Sequence, residues 1–389
     1  MLSKESLIGI IGSGAMGIGI AQVAASAGHE VFVYDNNENA LAKAESHLKS
    51  ALNKLLEKQK LSAEQVSSIL NNTHFVKALI DLASCNLIIE AIVENLAVKK
   101  TVFSDLEKLV GADCILASNT SSLSITSIAS ACNKPQNVIG IHFFNPAVIM
   151  PLVEIIPGIA TSQNITSSCK NLIETWNKTT VIAKDTPGFI VNRVARPFYS
   201  EALRIYEEGI ADIPTIDWAM KEIGGFKMGP FELMDLIGHD VNYIVTETVW
   251  KELYFDPKFK PALSQKRLLE AGFFGRKTGR GFYDYAPEAI LSEPTKNKEL
   301  AVNIVKRILV MLINEAADTL YLRVASREDI DLAMTKGVNY PKGLLRWADE
   351  FGIQHVVKEL TSLKDFYEED RYRICPMLKQ KFILGKKFY

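Results

Sequence analysis

A histidine followed twelve residues later by a glutamate is the pair in this sequence with the clearest chemical potential. His142 ends the apolar run Val138–His142, and Glu154 sits inside Leu152-Val-Glu-Ile-Ile156. A carboxylate among Leu, Val and two Ile is costly to bury without a hydrogen-bonding or charged partner. An imidazole would supply that partner, and the two together have the makings of a general base and its orienting acid. His29, His47, His74, His239 and His355 lack such surroundings and read as structural or solvent-exposed.

Three further groups could serve a redox reaction. Gly12-Ser13-Gly14-Ala15-Met16-Gly17 follows the apolar run Leu7–Ile11 and opens an apolar helix through Gln22 to Ala27. In that context the glycines permit a tight turn and close backbone approach, and the helix start offers free N–H groups to a pyrophosphate. The run Glu30–Tyr34 then ends at Asp35, where a carboxylate accepts hydrogen bonds from an adenosine ribose and repels a 2′-phosphate. NAD, rather than NADP, is the expected cofactor. Ser118-Asn119-Thr120-Ser121-Ser122 follows the run Cys114–Ala117, where ligands of doubly wound sheets bind. These residues either orient a carbonyl or simply cap the helix Ile125–Ala131. The last group is Asp185-Thr-Pro-Gly-Phe-Ile-Val-Asn192-Arg193, with Asn192 about one helical turn past Gly188 at a junction where a second domain can close over a cofactor.

The elements that must position these residues are outlined by the hydrophobic pattern. The first 185 residues alternate short β-rich runs with helical segments, which predicts a parallel sheet covered by helices on both faces. Leu87–Ala91 and Thr180–Ala183 add two strands to the runs already given. Glu38 to about Leu70 reads as a long helical insertion, where a minimal crossover needs about a dozen residues. Its Lys43, Lys49, Lys54, Lys58 and Lys60 form either a solvated face or an arm for an anionic ligand. After Asp185 the pattern changes to long apolar-periodic helices. The expected fold is an α/β, doubly wound Rossmann-type domain over 1–184, followed by two all-α domains, 185–285 and 297–389, joined by the linker Ala286–Lys296.

The two helical blocks resemble each other. At a constant offset of 114, Glu201-Ala202 matches Glu315-Ala316, Ile216-Asp217 matches Ile330-Asp331, and Asp235 matches Asp349. This is a tandem duplication. The alignment places Lys306 opposite Asn192, so a function of Asn192 would be absent from the second copy. The second copy is expected to be trimmed, without much of the first copy's Phe255–Phe274 region.

Composition narrows the alternatives. With 389 residues the chain has room for two or three domains, each with its own core. Its 44 Lys+Arg against 45 Asp+Glu argue against a nucleic-acid or membrane-surface partner. Leu7–Gly28 is uncharged and long enough to mimic a membrane span, but six glycines in it argue otherwise. The cysteines Cys85, Cys114, Cys132, Cys169 and Cys375 are odd in number and scattered, which indicates neither a disulfide framework nor a metal site and fits a reducing cytoplasm. Hydrolases are disfavoured, since there is no GxSxG and no HExxH.

Taken together, the motifs resemble the 3-hydroxyacyl-CoA dehydrogenase family over nearly the whole chain. The resemblance rests on the GSGAMG turn, Ile92-Val-Glu94-Asn95, Ser118-Asn-Thr-Ser-Ser-Leu123, His142-Phe-Phe-Asn145-Pro146, Glu154 and Asp185-Thr-Pro-Gly-Phe-Ile-Val-Asn192-Arg193. It implies His142 and Glu154 as the catalytic pair, with Ser121 and Asn192 contacting the reacting part of the substrate and Asn145 beside them. It also implies that Gly12, Gly14, Met16, Gly17, Asp35, Glu94, Lys99 and Asn119 form the NAD site, and that the insertion, with Lys54, contacts the CoA of an acyl-CoA thioester. The implied reaction is reversible oxidation of an (S)-3-hydroxyacyl-CoA. The alternatives are a related dehydrogenase of a non-CoA hydroxy acid and a non-catalytic protein that keeps the fold. Single-copy relatives dimerise through the helical domain, so the duplication implies a monomer or a homodimer made through another surface.

Overall fold

The computed structural model describes residues 2–289 and 292–389, and the chain divides into two compact units, one ending at Thr186 and the other spanning Pro187–Tyr389. Among the described residues, no helix is long and apolar enough to cross a membrane.

In chain order the first unit comprises β1 (Ile8–Ile11), α1 (Ala15–Ser26), β2 (Val31–Tyr34), α2 (Glu38–Glu57), α3 (Ala63–Asn71), β3 (Thr73–Val76), β4 (Leu87–Glu90), α4 (Leu96–Leu109), β5 (Ile115–Ser118), α5 (Ile125–Ala129), β6 (Val138–Phe143), β7 (Leu152–Pro157), α6 (Gln163–Thr175) and β8 (Thr179–Ile182). The strands form one sheet in the order β3-β2-β1-β4-β5-β6-β7-β8. Strand order reverses between β1 and β4, and the crevice of a doubly wound sheet opens at the carboxyl ends of such a pair. β1, β4, β5 and β6 are buried along their whole length, as strands covered on both faces must be.

Three features depart from the expectation. First, β6 and β7 run antiparallel. Only residues 144–151 join them, and a parallel return needs a crossover of about a dozen residues or more. Second, the helical stretch from Glu38 is two helices. Gln59 takes a left-handed φ of 54°, and Ser62 caps α3 through a reciprocal capping box with Gln65. Third, β3 is an additional edge strand pairing with β2, and only its Thr73 is buried, which leaves little period-two signal.

The second unit holds α7 (Val191–Val194), α8 (Arg196–Glu207), α9 (Ile213–Glu222), α10 (Pro230–Ile237), α11 (His239–Glu252), α12 (Leu263–Glu270), α13 (Lys298–Tyr321), α14 (Arg327–Gly337), α15 (Leu344–Phe351), α16 (Ile353–Tyr367) and α17 (Pro376–Leu384). Of the linker Ala286–Lys296, Ile290 and Leu291 lie outside the described residues. The two copies form one compact unit because α13, buried over most of its length, packs against α8 and α9 of the first copy as well as α15, α16 and α17 of its own.

The offset of 114 is visible in the contacts. Arg193 Nε donates to Glu315 at 2.7 Å, and its counterpart Arg307 donates to Glu201, the counterpart of Glu315, at 3.1 Å. Each copy thus supplies the arginine for the other's glutamate. Lys258 reaches Glu315 at 3.2 Å, and its counterpart, the Tyr372 hydroxyl, donates to Glu201 at 3.1 Å. Asp217 accepts from the first turn of α10 (Phe231 and Glu232 N–H), as Asp331 does from that of α15 (Leu345 and Arg346 N–H). Asp235 accepts from the Phe282 and Tyr283 N–H groups, and Asp349 from those of Phe388 and Tyr389.

These pairings relocate the trimmed segment. The second copy keeps a helix, α17, packed on α16 as α12 packs on α11. The shortening lies just after it: Gly272 and Phe282 are ten positions apart, whereas Gly385 and Phe388 are three apart.

Candidate active site

The catalytic candidates meet because of the β6–β7 register. Antiparallel pairing sets His142 directly opposite Glu154, and cross-strand neighbours place their side chains on the same face. His142 Nδ1 lies 2.7 Å from Glu154 Oε2. Glu154 is fully buried and His142 is 5% exposed, with the Phe144 ring 4.5 Å from the imidazole. Twelve residues of sequence separation are thus closed by one tight antiparallel return.

The neighbouring strand ends are tied to this pair by polar contacts. Asn119, just past β5, accepts from the Phe143 N–H at 2.8 Å through its side-chain oxygen. Glu94 accepts from the Thr120 hydroxyl at 2.6 Å and the Ser121 N–H at 3.0 Å, with the Ser121 hydroxyl at 3.4 Å. Burial by itself would raise the Glu94 carboxyl, but the Lys99 ammonium and these hydrogen bonds outweigh it and hold it below the ordinary glutamate range. The cap of α5 is Ser124, assisted by Asp185, which accepts from the Ile125 and Thr126 N–H groups. Ser118–Ser122 therefore do not serve as that cap.

Beneath this loop lies Glu90, which sequence reasoning did not single out. It is fully buried at the end of β4, 2.6 Å from Lys99 Nζ, and it accepts from the Ser118 hydroxyl and the Ile92 N–H, each at 2.7 Å. The signal was available: a carboxylate closing the apolar run Leu87-Ile-Ile is as anomalous as Glu154 in its own strand. Lys99 is 1% exposed and shared between Glu90 and Glu94, so its ammonium joins the loops after β4 and β5.

At the first crossover, Gly12 adopts a φ of +97°, and a Cβ there would stand 2.6 Å from the Ala91 carbonyl oxygen. A Cβ on Gly17 would overlap the Gly12 carbonyl oxygen at 1.8 Å, whereas one on Gly14 would meet nothing within 4 Å. Asp35, at the end of β2, accepts from the Ser13 N–H and hydroxyl, each at 2.8 Å, and from the Asn37 N–H at 2.9 Å. Burial pushes its carboxyl up, and those three donors pull it back below the usual range.

Over residues 7–186 the chain matches the family model of the 3-hydroxyacyl-CoA dehydrogenase NAD binding domain, and over 188–285 and again 303–387 that of the 3-hydroxyacyl-CoA dehydrogenase C-terminal domain. The chain belongs to the 3-hydroxyacyl-CoA dehydrogenase family. It is 35% identical to the 3-hydroxyadipyl-CoA dehydrogenase of Escherichia coli K12, with 99% of each chain covered. It is 42% identical to the mitochondrial hydroxyacyl-coenzyme A dehydrogenase of Sus scrofa, over 71% of this chain and 90% of that one. A solved structure of 3-hydroxybutyryl-CoA dehydrogenase from Escherichia coli K12 superposes with a TM-score of 0.93 at 35% identity, covering 98% of this chain and 99% of that one.

The dinucleotide turn of this 3-hydroxyacyl-CoA dehydrogenase suits NAD on geometric grounds. The first and third glycines are required by close backbone contacts, while Gly14 leaves open ground at a helix start that no side chain caps. Met16 follows it in the first turn of α1, half-buried. Asp35 uses three of its four lone-pair directions internally, which leaves capacity for a ribose hydroxyl. Asn145 is exposed just beyond β6. Lys54 projects from the exposed face of α2, opposite the buried stripe Leu41, Ala44, Leu48 and Leu52, and no hydrogen bond or ion pair among the described residues joins it to the His142 cluster. Asn192 belongs to α7 in the helical unit.

Proposed function

We propose that this dehydrogenase interconverts (S)-3-hydroxyacyl-CoA and 3-oxoacyl-CoA, with His142 as general base. The observation that carries the reading is the 2.7 Å contact between His142 Nδ1 and Glu154. An ionised Glu154 requires the proton on Nδ1, which leaves Nε2 as the acceptor for the substrate's 3-hydroxyl proton. The imidazolium so formed is stabilised by the buried carboxylate behind it. Ser121 and Asn192 donate hydrogen bonds to substrate oxygens and hold the reacting carbon in place. Bound NAD supplies the acceptor for the hydride that leaves C3.

Gly12, Gly14, Met16, Gly17 and Asp35 would hold the dinucleotide. Glu94, Lys99 and Asn119 support the same site as positioning residues, since their polar groups are engaged by Thr120, Glu90 and the Phe143 N–H. The exposed lysines of α2, Lys54 among them, are the proposed contacts for the anionic CoA. Two of the relatives named above, a 3-hydroxyadipyl-CoA and a 3-hydroxybutyryl-CoA dehydrogenase, support short acyl chains, with or without a second carboxylate.

The test is a pair of initial-rate assays with NADH, one on acetoacetyl-CoA and one on free acetoacetate. Turnover confined to the thioester is expected, and equal rates would overturn the CoA reading. Asp35→Ser should lower kcat/KM for NADH by roughly 10- to 100-fold, the effect of losing hydrogen bonds to a charged group, and raise NADPH use relative to NADH. An unchanged ratio of the two cofactors would remove Asp35 from the site.

A further inference from the structure

Four arginines of the helical unit are buried, and three of them carry a carboxylate: Arg193 on Glu315, Arg307 and Arg371 on Glu201. Arg196 is the exception. It is 4% exposed at the start of α8, and among the described residues it forms no ion pair. Its Nη1 donates to the Thr246 hydroxyl at 2.9 Å, its Nε is buried without a partner, and its guanidinium lies 4.9 Å from the centre of the Tyr199 ring. The hydroxyls of Tyr340 and of Ser200, one turn along α8, are likewise buried without partners. Burial with no opposing acid pulls the Arg196 guanidinium down, and Tyr199 and Tyr340 are the groups close enough to counter it.

The duplication supplies an internal control. At the offset of 114, Arg196 corresponds to Val310, Tyr199 to Ile313, Asn242 to Val356 and Thr246 to Leu360, and Tyr340 itself corresponds to Phe226. At the equivalent place Arg196, Tyr199, Asn242, Thr246 and Tyr340 are thus all replaced by apolar side chains, the counterpart of Ser200 is Asn314, whose amide is satisfied by the Cys375 N–H and the Arg373 carbonyl, and Val310 is fully buried there. The fold needs no charge at this position. A buried guanidinium with an unused Nε–H, near a tyrosine hydroxyl that is itself without a partner, is costly unless an anion completes it. The planar fork of an arginine matches a carboxylate.

α7 runs into α8 with only Ala195, itself in a helical conformation, between them. Asn192 and Arg196 are therefore four residues apart on one helical path, which places them on the same face about 6 Å apart along the axis. We infer that Arg196, with the Tyr340 hydroxyl, receives a carboxylate at the far end of the acyl chain, so that the enzyme is built for dicarboxylic 3-hydroxyacyl thioesters. This rests on the reading above, in which Asn192 touches the reacting part of the substrate. One helical turn corresponds to a chain continuing two methylenes past the reacting carbon to its terminal carboxylate.

The test compares kcat/KM for 3-hydroxyadipyl-CoA and 3-hydroxyhexanoyl-CoA, which share six acyl carbons and differ in the terminal carboxylate. The unaltered protein should favour the dicarboxylic thioester by roughly 10- to 100-fold, the effect of a hydrogen-bonded charge pair. Arg196→Val, which installs the side chain the second copy carries, should reduce that ratio to about one, and Tyr340→Phe should reduce it part of the way. A ratio near one in the unaltered protein, or one that both variants leave in place, overturns the inference. A melting temperature that falls in R196V while the ratio stays put makes Arg196 a packing residue and also overturns it. If neither thioester is oxidised, it is the dehydrogenase reading that fails.

Discussion

His142→Gln is expected to lower kcat with acetoacetyl-CoA and NADH by about 10³-fold, within the usual range for removing a general base. Glutamine keeps a polar side chain at the strand end but cannot take up the proton. Glu154→Gln should cost a comparable factor, because the amide can donate to Nδ1 and so favours the wrong tautomer, and because the buried countercharge to the imidazolium is gone. The double variant should be little worse than either single one, as two groups that act as a unit are not additive. NADH binding, measured by fluorescence titration, should change less than twofold (roughly), since neither side chain is assigned to the dinucleotide turn. Either single variant keeping more than about a tenth of the turnover would remove the pair from the chemistry.

Glu201→Gln should destabilise the helical unit by about 3–5 kcal/mol, the cost of breaking a buried ion pair from one side. Glu201 is fully buried and holds Arg307 and Arg371 together with the Tyr372 hydroxyl. The substitution leaves Arg371 facing a neutral amide where the copies meet and Arg307 with Glu208 as its remaining carboxylate. For a unit of about 200 residues, this is a loss of roughly 6–20 °C in Tm, readable by calorimetry. The penalty is also expected to depend on pH. Burial would raise the Glu201 carboxyl, but Arg371 and Arg307 outweigh it and hold it below its ordinary value. A carboxyl lowered by folding contributes stability above its unfolded pKa of about 4.3 and loses it as pH falls through the folded value. The gap between the two proteins should accordingly be full at pH 7 and shrink on acidification. A gap that stays constant down to pH 3 would show that charge at Glu201 is not the cause.

Much of this molecule was legible in its residues. The alternation of β-rich runs and helices, the glycine turn ending in Asp35, and the switch to periodic helices after Asp185 are local patterns, set by side-chain period and backbone sterics within a few residues. The duplication was legible too, because an ungapped offset survives in identities such as Glu201 and Glu315. Glu154 could be singled out because a lone carboxylate in an apolar run demands a partner, and the same argument applied to Glu90 would have found the second buried acid. The edge strand β3 was missed because one buried residue in four carries no period.

What the tertiary structure alone decided is which of these residues meet. The direction of β7, and with it the register that sets His142 against Glu154, follows from a return too short to cross over the sheet. The exchange of arginines between the two copies depends on which helices α13 packs against. Side-chain periodicity reports burial along one element. Pairing between elements is a property of long-range packing, where the low dielectric of the interior makes every buried charge need a partner that the chain brings from elsewhere.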